Sequence, residues 1–148
     1  MIKKILVATD GSDHARKTIE LASDIALKYN AKIYLIHVVN EPKIPEGIVE
    51  WMREEHVRES PSYVYLQTAG RGIIEAAERE IRAKGLKEVE SALDEGDPAT
   101  RIIKFAKENG VDVIMMGSHG IGGVESLFLG SVSHKVCHLA HCTCVTVK

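Results

Sequence analysis

Residues 4–9, Lys-Ile-Leu-Val-Ala-Thr, form a short run of branched and small apolar side chains, and comparable strand-length runs recur at 32–39, 87–93, 111–116 and 143–147. Runs of this length, bounded by turn residues, suit strands buried on both faces. The run at 87–93 is more polar and suits a position nearer the sheet edge. Between the runs, apolar residues recur every three or four positions, as on one face of a helix. Ala15, Ile19, Ala22, Ile25, Ala26 and Tyr29 make such a face after the first run. Strand and helix in alternation imply a parallel sheet covered by helices and joined by right-handed crossovers. The expected fold is therefore α/β: a single doubly wound domain spanning residues 1–148.

Local signals punctuate that pattern. Asp10-Gly11-Ser12 supplies a turn and a helix N-cap, and Asn30 a C-terminal stop. Residues 40–60 are the least regular: Pro42 and Pro45 interrupt them, and Ile48, Trp51 and Met52 suit one short apolar helix face. Ser60-Pro61 reads as a cap followed by proline at the first helical position. From there a helix to about residue 84 is supported by Ile73, Ile74, Ala77 and Ile81. Glu75–Arg79 and Glu78–Arg82 have the favourable i,i+4 order, about 0.3 kcal/mol each. Gly70 and Gly72 oppose its first half by about 1 kcal/mol each, and Gly85 ends it. Gly96-Asp97-Pro98 then starts a helix with Ala99, Ile102, Ile103 and Ala106 inward, which Asn109-Gly110 closes.

The fourth run leads into Gly117-Ser118-His119-Gly120, and the loop continues to Gly130-Ser131-Val132-Ser133 before an amphipathic stretch at 132–140. Glycines after a strand, with Gly-Ser opening a helix, bring backbone N–H groups close to an anion that the helix N-terminus favours. A plain surface loop is the competing reading. The spacing is neither a P-loop nor G-x-G-x-x-G. In open α/β sheets ligands lie beyond the carboxyl ends of the strands, where the strand order reverses. If the first and fourth strands are neighbours, Ala8, Thr9 and Asp10 face Met116, Gly117 and Gly120 across the crevice, with Val38 or Val39 along one wall. Asp10 suits either a ribose hydroxyl and a phosphate-bound cation, or a simple helix cap. His119 suits either a phosphate contact or an exposed loop position.

Charge narrows the partners. Nineteen Lys and Arg against 21 Asp and Glu give a net charge of -2, with no basic excess for nucleic acid. No segment is apolar enough to span a bilayer, and the N-terminus does not read as a signal peptide. The three cysteines all lie in the last twelve residues, and cytoplasmic location is expected. His134, Cys137, His138, His141, Cys142 and Cys144 crowd that end, where buried thiols are the stronger reading over a metal or redox site. Neither a Ser-His-Asp set nor a carboxylate pair is legible, so no catalytic residue and no protein-held metal are assigned.

Gly117-x-x-Gly120, nine residues, then Gly130-Ser131 resembles the nucleotide-binding motif of the universal stress proteins, in their ATP-binding subclass. Residues 4–11, Ile36-His37-Val38, Glu95-Gly96-Asp97-Pro98, 114–118 and 129–133 agree with the family in order and spacing, so the resemblance covers nearly the whole chain. It implies a five-stranded parallel sheet of order 3-2-1-4-5 with helices on both faces. It further implies adenine near Ala8 and Val38 with Met116 beside the base, and ribose near Asp10. Phosphates would lie on Gly117, Gly120, Gly130, Ser131, Val132 and Ser133. The implied cofactor is ATP, with Mg or Mn held mainly by its phosphates, and the implied assembly is a homodimer through the last strand. Where the family often has Pro-Cys-Pro before that strand, this chain reads His141-Cys142-Thr143. The expected function is an ATP-binding stress or regulatory protein with little or no turnover, acting on an unidentified protein partner. A slow ATPase and a ligand-free dimeric scaffold are the alternatives.

Overall fold

The computed structural model describes residues 1–40, 43–120 and 129–148. Five strands form one parallel sheet: β1 (Lys4–Ala8), β2 (Lys32–Val39), β3 (Val89–Glu95), β4 (Val113–Gly117) and β5 (Thr143–Val147). Their order is β3-β2-β1-β4-β5, as expected. The register sets Ala8 between Ile36 on β2 and Met116 on β4. The strand order therefore reverses at the β1–β4 seam, which is where such folds leave a crevice.

Side chains alternate across each strand and so divide the core in two. Ile5, Val7, Ile33, Leu35, Val113 and Met115 face α1 (Asp13–Tyr29) and α4 (Arg71–Ala83). Leu6, Tyr34, Ile36, Ile114 and Met116 face α5 (Pro98–Asn109) and α6 (Ser131–Leu139). Leu6, Ile33, Leu35 and Ile114 are fully buried, each stabilising the fold by about 1.5–3 kcal/mol relative to exposure.

Helix ends follow the local signals. Ser12 caps α1 by accepting from the Ala15 N–H, and Asn30 ends it in the left-handed region. Asp97 caps α5, with Pro98 next. The helix expected to begin at residue 61 has three parts: α3 (Pro61–Tyr65), a π-helical turn (Leu66–Gly70) and α4. A Cβ on Gly70 would lie 3.3 Å from Leu66 Cδ1 and from Leu93 Cδ2, so glycine lets this turn close on β3. Of the paired charges, Glu78 and Arg82 meet at 2.7 Å.

Several expectations shift. β3 begins two residues later than the sequence suggested, because its polar composition leaves the ladder to β2, and not burial, to decide its start. β4 likewise begins two residues later than expected, at Val113, and runs on to Gly117. Tyr29 and Trp51 sit on outer helix faces, 46% and 51% exposed. Met52 alone is buried in the short helix α2 (Glu46–Glu54). Pro42 lies outside the described residues.

Candidate functional site

At the carboxyl ends of β1 and β4 the structure opens a cleft of about 580 Å³. Ala8, Thr9, Asp10, Val38, Met116, Gly117, His119, Gly120, Gly130, Ser131, Val132 and Ser133 all line it. The cleft has two chemically distinct ends. Ala8, Ile36, Val38, Ile102 and Met116 form an apolar slot on the α5–α6 side of the sheet. The glycine loop and the start of α6 form a polar end rich in backbone.

The β1 lip is held from its outer neighbour. Thr9 N–H donates to Ile36 O at 2.9 Å, and His37 Nδ1 lies 2.8 Å from Thr9 O. Asp10 follows, its Oδ1 accepting from Ser12 N–H at 2.9 Å. That bond folds the carboxylate back over the turn, while capping of α1 falls to Ser12.

The β4 lip is held in the same manner. Ser118 N–H donates to Val147 O at 2.8 Å, which carries the β4–β5 ladder into the loop. Ser118 O accepts from Gly130 N–H at 2.8 Å and from Ser133 Oγ at 2.9 Å. The two halves of the glycine motif are thereby closed on each other across the intervening residues. A Cβ on Gly117 would stand 2.8 Å from His14 Cβ, and one on Gly130 3.1 Å from Ser118 O. A Cβ on Gly120 would stand 2.7 Å from Asp10 Oδ2, so this glycine marks the closest approach of the two lips.

Gly130 occupies the N-cap of α6 and offers no side-chain cap. Among the described residues no side chain caps the first-turn N–H groups of this nine-residue helix, and the helix dipole favours an anion there. Among the described residues lining the cleft there is no lysine or arginine.

Sequence reasoning missed His14, whose Nδ1 is 3.1 Å from Ser118 Oγ, and Ser118 itself as a side chain. Asn40, Pro98 and Ile102 also line the cleft. Their signal was positional: each sits at or just beyond the carboxyl end of a strand or in the first turns of the following helix.

The C-terminal thiols lie away from the cleft. Cys142 and Cys144 pack against the α5–α6 core. Burial pushes the Cys142 thiol up, and the Cys144 thiol up to about 11. His134 and His138 stack on the exposed face of α6 with ring centroids 6.5 Å apart. Among the described residues no three His, Cys, Asp or Glu side chains gather to hold a metal ion. No helix among them is long and apolar enough to cross a membrane.

The family model described as "Universal stress protein family" matches residues 1–148. The Bacillus subtilis universal stress protein YxiE is 34% identical over 159 residues, covering all of both chains. The solved structure of MJ0577, a universal stress protein of Methanocaldococcus jannaschii, superposes with a TM-score of 0.79 at 29% identity, covering 100% of this chain and 96% of that one. A universal stress protein from Archaeoglobus fulgidus, solved in complex with dAMP, shares the fold with a TM-score of 0.69 at 20% identity, covering 100% and 98%.

Proposed function

Because the chain belongs to the universal stress protein family, we propose that its cleft binds an adenine nucleotide, ATP foremost, and that occupancy modulates conformation or the binding of a protein partner. The observation that carries this reading is the pairing of an apolar slot with a backbone cradle in one cleft. The base would lie against Ala8, Val38 and Met116, the ribose near Asp10, and the phosphates on Gly117, Gly120 and the α6 N-terminus. The Archaeoglobus protein's complex with dAMP supports the ligand class, since that protein holds an adenine nucleotide on the same fold.

Mg or Mn would be held mainly by the phosphates, because Asp10 is the one carboxylate among the described cleft residues. Hydrolysis needs a positioned water and neutralisation of charge on the transferring phosphoryl group. The described lining offers imidazole and N–H donors and no lysine or arginine, so turnover is slow or nil and the nucleotide acts as a regulatory ligand. β5 lies at the sheet edge, and an uncovered edge strand invites pairing. The proposed homodimer forms there.

Titration calorimetry with ATP, ADP and AMP, together with identification of any copurified nucleotide, tests the reading. Heat of binding and thermal stabilisation are expected with ATP. Absence of both for all three nucleotides overturns it in favour of a ligand-free scaffold.

A further inference from the structure

The polar end of the cleft contains a hydrogen-bond chain that nucleotide binding by backbone groups leaves unused. His14 Nδ1 lies 3.1 Å from Ser118 Oγ, and the same oxygen lies 3.1 Å from His119 Nδ1. The two imidazoles meet edge to face, centroids 5.7 Å apart at 80°. Ser118 is fully buried, and its backbone is held by Val147, Gly130 and Ser133. His14 is fixed as well: Thr18 Oγ1 donates to its carbonyl at 2.7 Å, and its Cβ packs against the bare Cα of Gly117.

Counting protons constrains this chain. A neutral imidazole carries one N–H, and a hydroxyl has one proton to donate. Ser118 Oγ could accept from both rings, but it has no third partner among the described residues to take its own proton, so it donates to one Nδ1 and accepts from the other. One histidine therefore carries its proton on Nδ1 and the other on Nε2. If His14 Nδ1–H donates to Ser118, the Ser118 hydroxyl donates to His119 Nδ1, and the His119 proton sits on Nε2. In the reverse order His119 Nε2 is a bare lone pair. That atom is buried and has no hydrogen-bond partner among the described residues. Next to an anion a bare lone pair is repelled, whereas an N–H makes a charge-assisted bond.

We propose that His14 is a positioning residue: through Ser118 it sets the tautomer of His119, so that Nε2–H is held as a donor to the anionic group of the ligand. The choice of polarity rests on the nucleotide reading, because it needs an anion. The reciprocity of the two tautomers does not, and holds in the ligand-free protein.

The test is a two-bond proton–nitrogen correlation on the full chain labelled with 15N-histidine, at about pH 8, where unperturbed imidazoles are neutral. Without ligand, His14 and His119 are expected to share one Nδ1 proton between them. With saturating ATP and magnesium, His14 is expected as Nδ1–H and His119 as Nε2–H. His14→Ala should weaken ATP binding about tenfold, as for loss of one hydrogen bond to a charged group. His14→Asn, whose amide returns a donor near the same place, should recover most of that loss. Ser118→Ala breaks the relay without altering either ring and should match His14→Ala, which keeps the test decisive if one variant fails to fold. Both histidines carrying Nε2–H, or both carrying Nδ1–H, in the ligand-free protein would overturn the proposal. So would His119 carrying Nδ1–H in the ATP complex, or wild-type affinity in both alanine variants. Failure of the wild type to take up ATP removes the nucleotide reading on its own, and the ligand-free spectrum then decides the relay.

Discussion

Gly120→Ala separates binding from folding. The added methyl would start 2.7 Å from Asp10 Oδ2, and the carboxylate must withdraw to at least 3.4 Å for ordinary contact. It cannot simply swing aside, because its other oxygen accepts from Ser12 N–H at 2.9 Å at the very start of α1. Breaking that bond costs about 1 kcal/mol, which for a chain of this size lowers the melting temperature by roughly 3 °C. The larger effect falls on the ligand. If Asp10 holds the ribose, losing a charge-assisted hydrogen bond costs about 1.5–3 kcal/mol, or roughly a 10- to 100-fold weaker Kd for ATP. Calorimetry for affinity and differential scanning fluorimetry for folding measure the two effects separately. Asp10→Asn should weaken binding to a similar degree, and the double variant should be markedly less than additive, because the methyl acts through the carboxylate. A folded Gly120→Ala protein with ATP affinity within twofold of wild type would refute both the close approach of the lips and the role given to Asp10.

Three other outcomes follow from the geometry. Gly117→Ala should destabilise the fold itself by about 1–3 kcal/mol, since its Cβ meets His14 Cβ at 2.8 Å and backbone at 3.2 Å with no flexible side-chain end to yield; urea unfolding within 0.5 kcal/mol of wild type would contradict this. Hydrogen bonds from the Thr100 hydroxyl and N–H, then from Lys135, hold the Asp97 carboxyl at about 2, below its ordinary 3.8; its contribution is therefore present above the unfolded value and lost as pH falls through the window between them, so Asp97→Asn should flatten the acid limb of the stability curve there, and parallel curves would count against it. With Cys137 exposed and Cys144 held at about 11 by burial, a thiol reagent at about pH 8 should modify Cys137 first, and peptide mapping that finds Cys144 ahead would show its burial to be misjudged.

What the sequence disclosed, and what it hid, divide along the range of the interactions involved. Strand and helix identities were legible because periodicity and caps act over a few residues: Ser12, Asn30, Asp97 and Gly110 all end or begin helices where their chemistry suggests. The strand order was accessible only through the resemblance to the universal stress proteins, and the lining of the cleft through that resemblance and through the glycines that follow a strand end. His14 was invisible for the opposite reason. On its own helix it is one polar residue in the first turn, and its partner Ser118 is 104 residues away. The π-helical turn at Leu66–Gly70 was hidden in the same way, since the need for Gly70 comes from Leu93 on a different element. Trp51 and Tyr29 were misplaced because spacing names a helix face without saying how much of it the core covers.

β1 and β4 pair with each other as far as Ala8 and Met116, and beyond that each lip is also held from its far side. Thr9 hangs from β2 through Ile36 and His37, and Ser118 hangs from β5 through Val147. The crevice is built like an arch whose abutments are β2 and β5, with the proposed nucleotide seat at the keystone. Its span is therefore expected to respond to changes made from outside. A substitution at His37, which reaches Thr9 from the α1–α4 side of the sheet, alters one abutment without lining the cleft, and a chain added along β5 loads the other. Contact maps drawn from the proposed ligand outward would miss both positions, yet these are the points from which a distant event would gain mechanical purchase on the site.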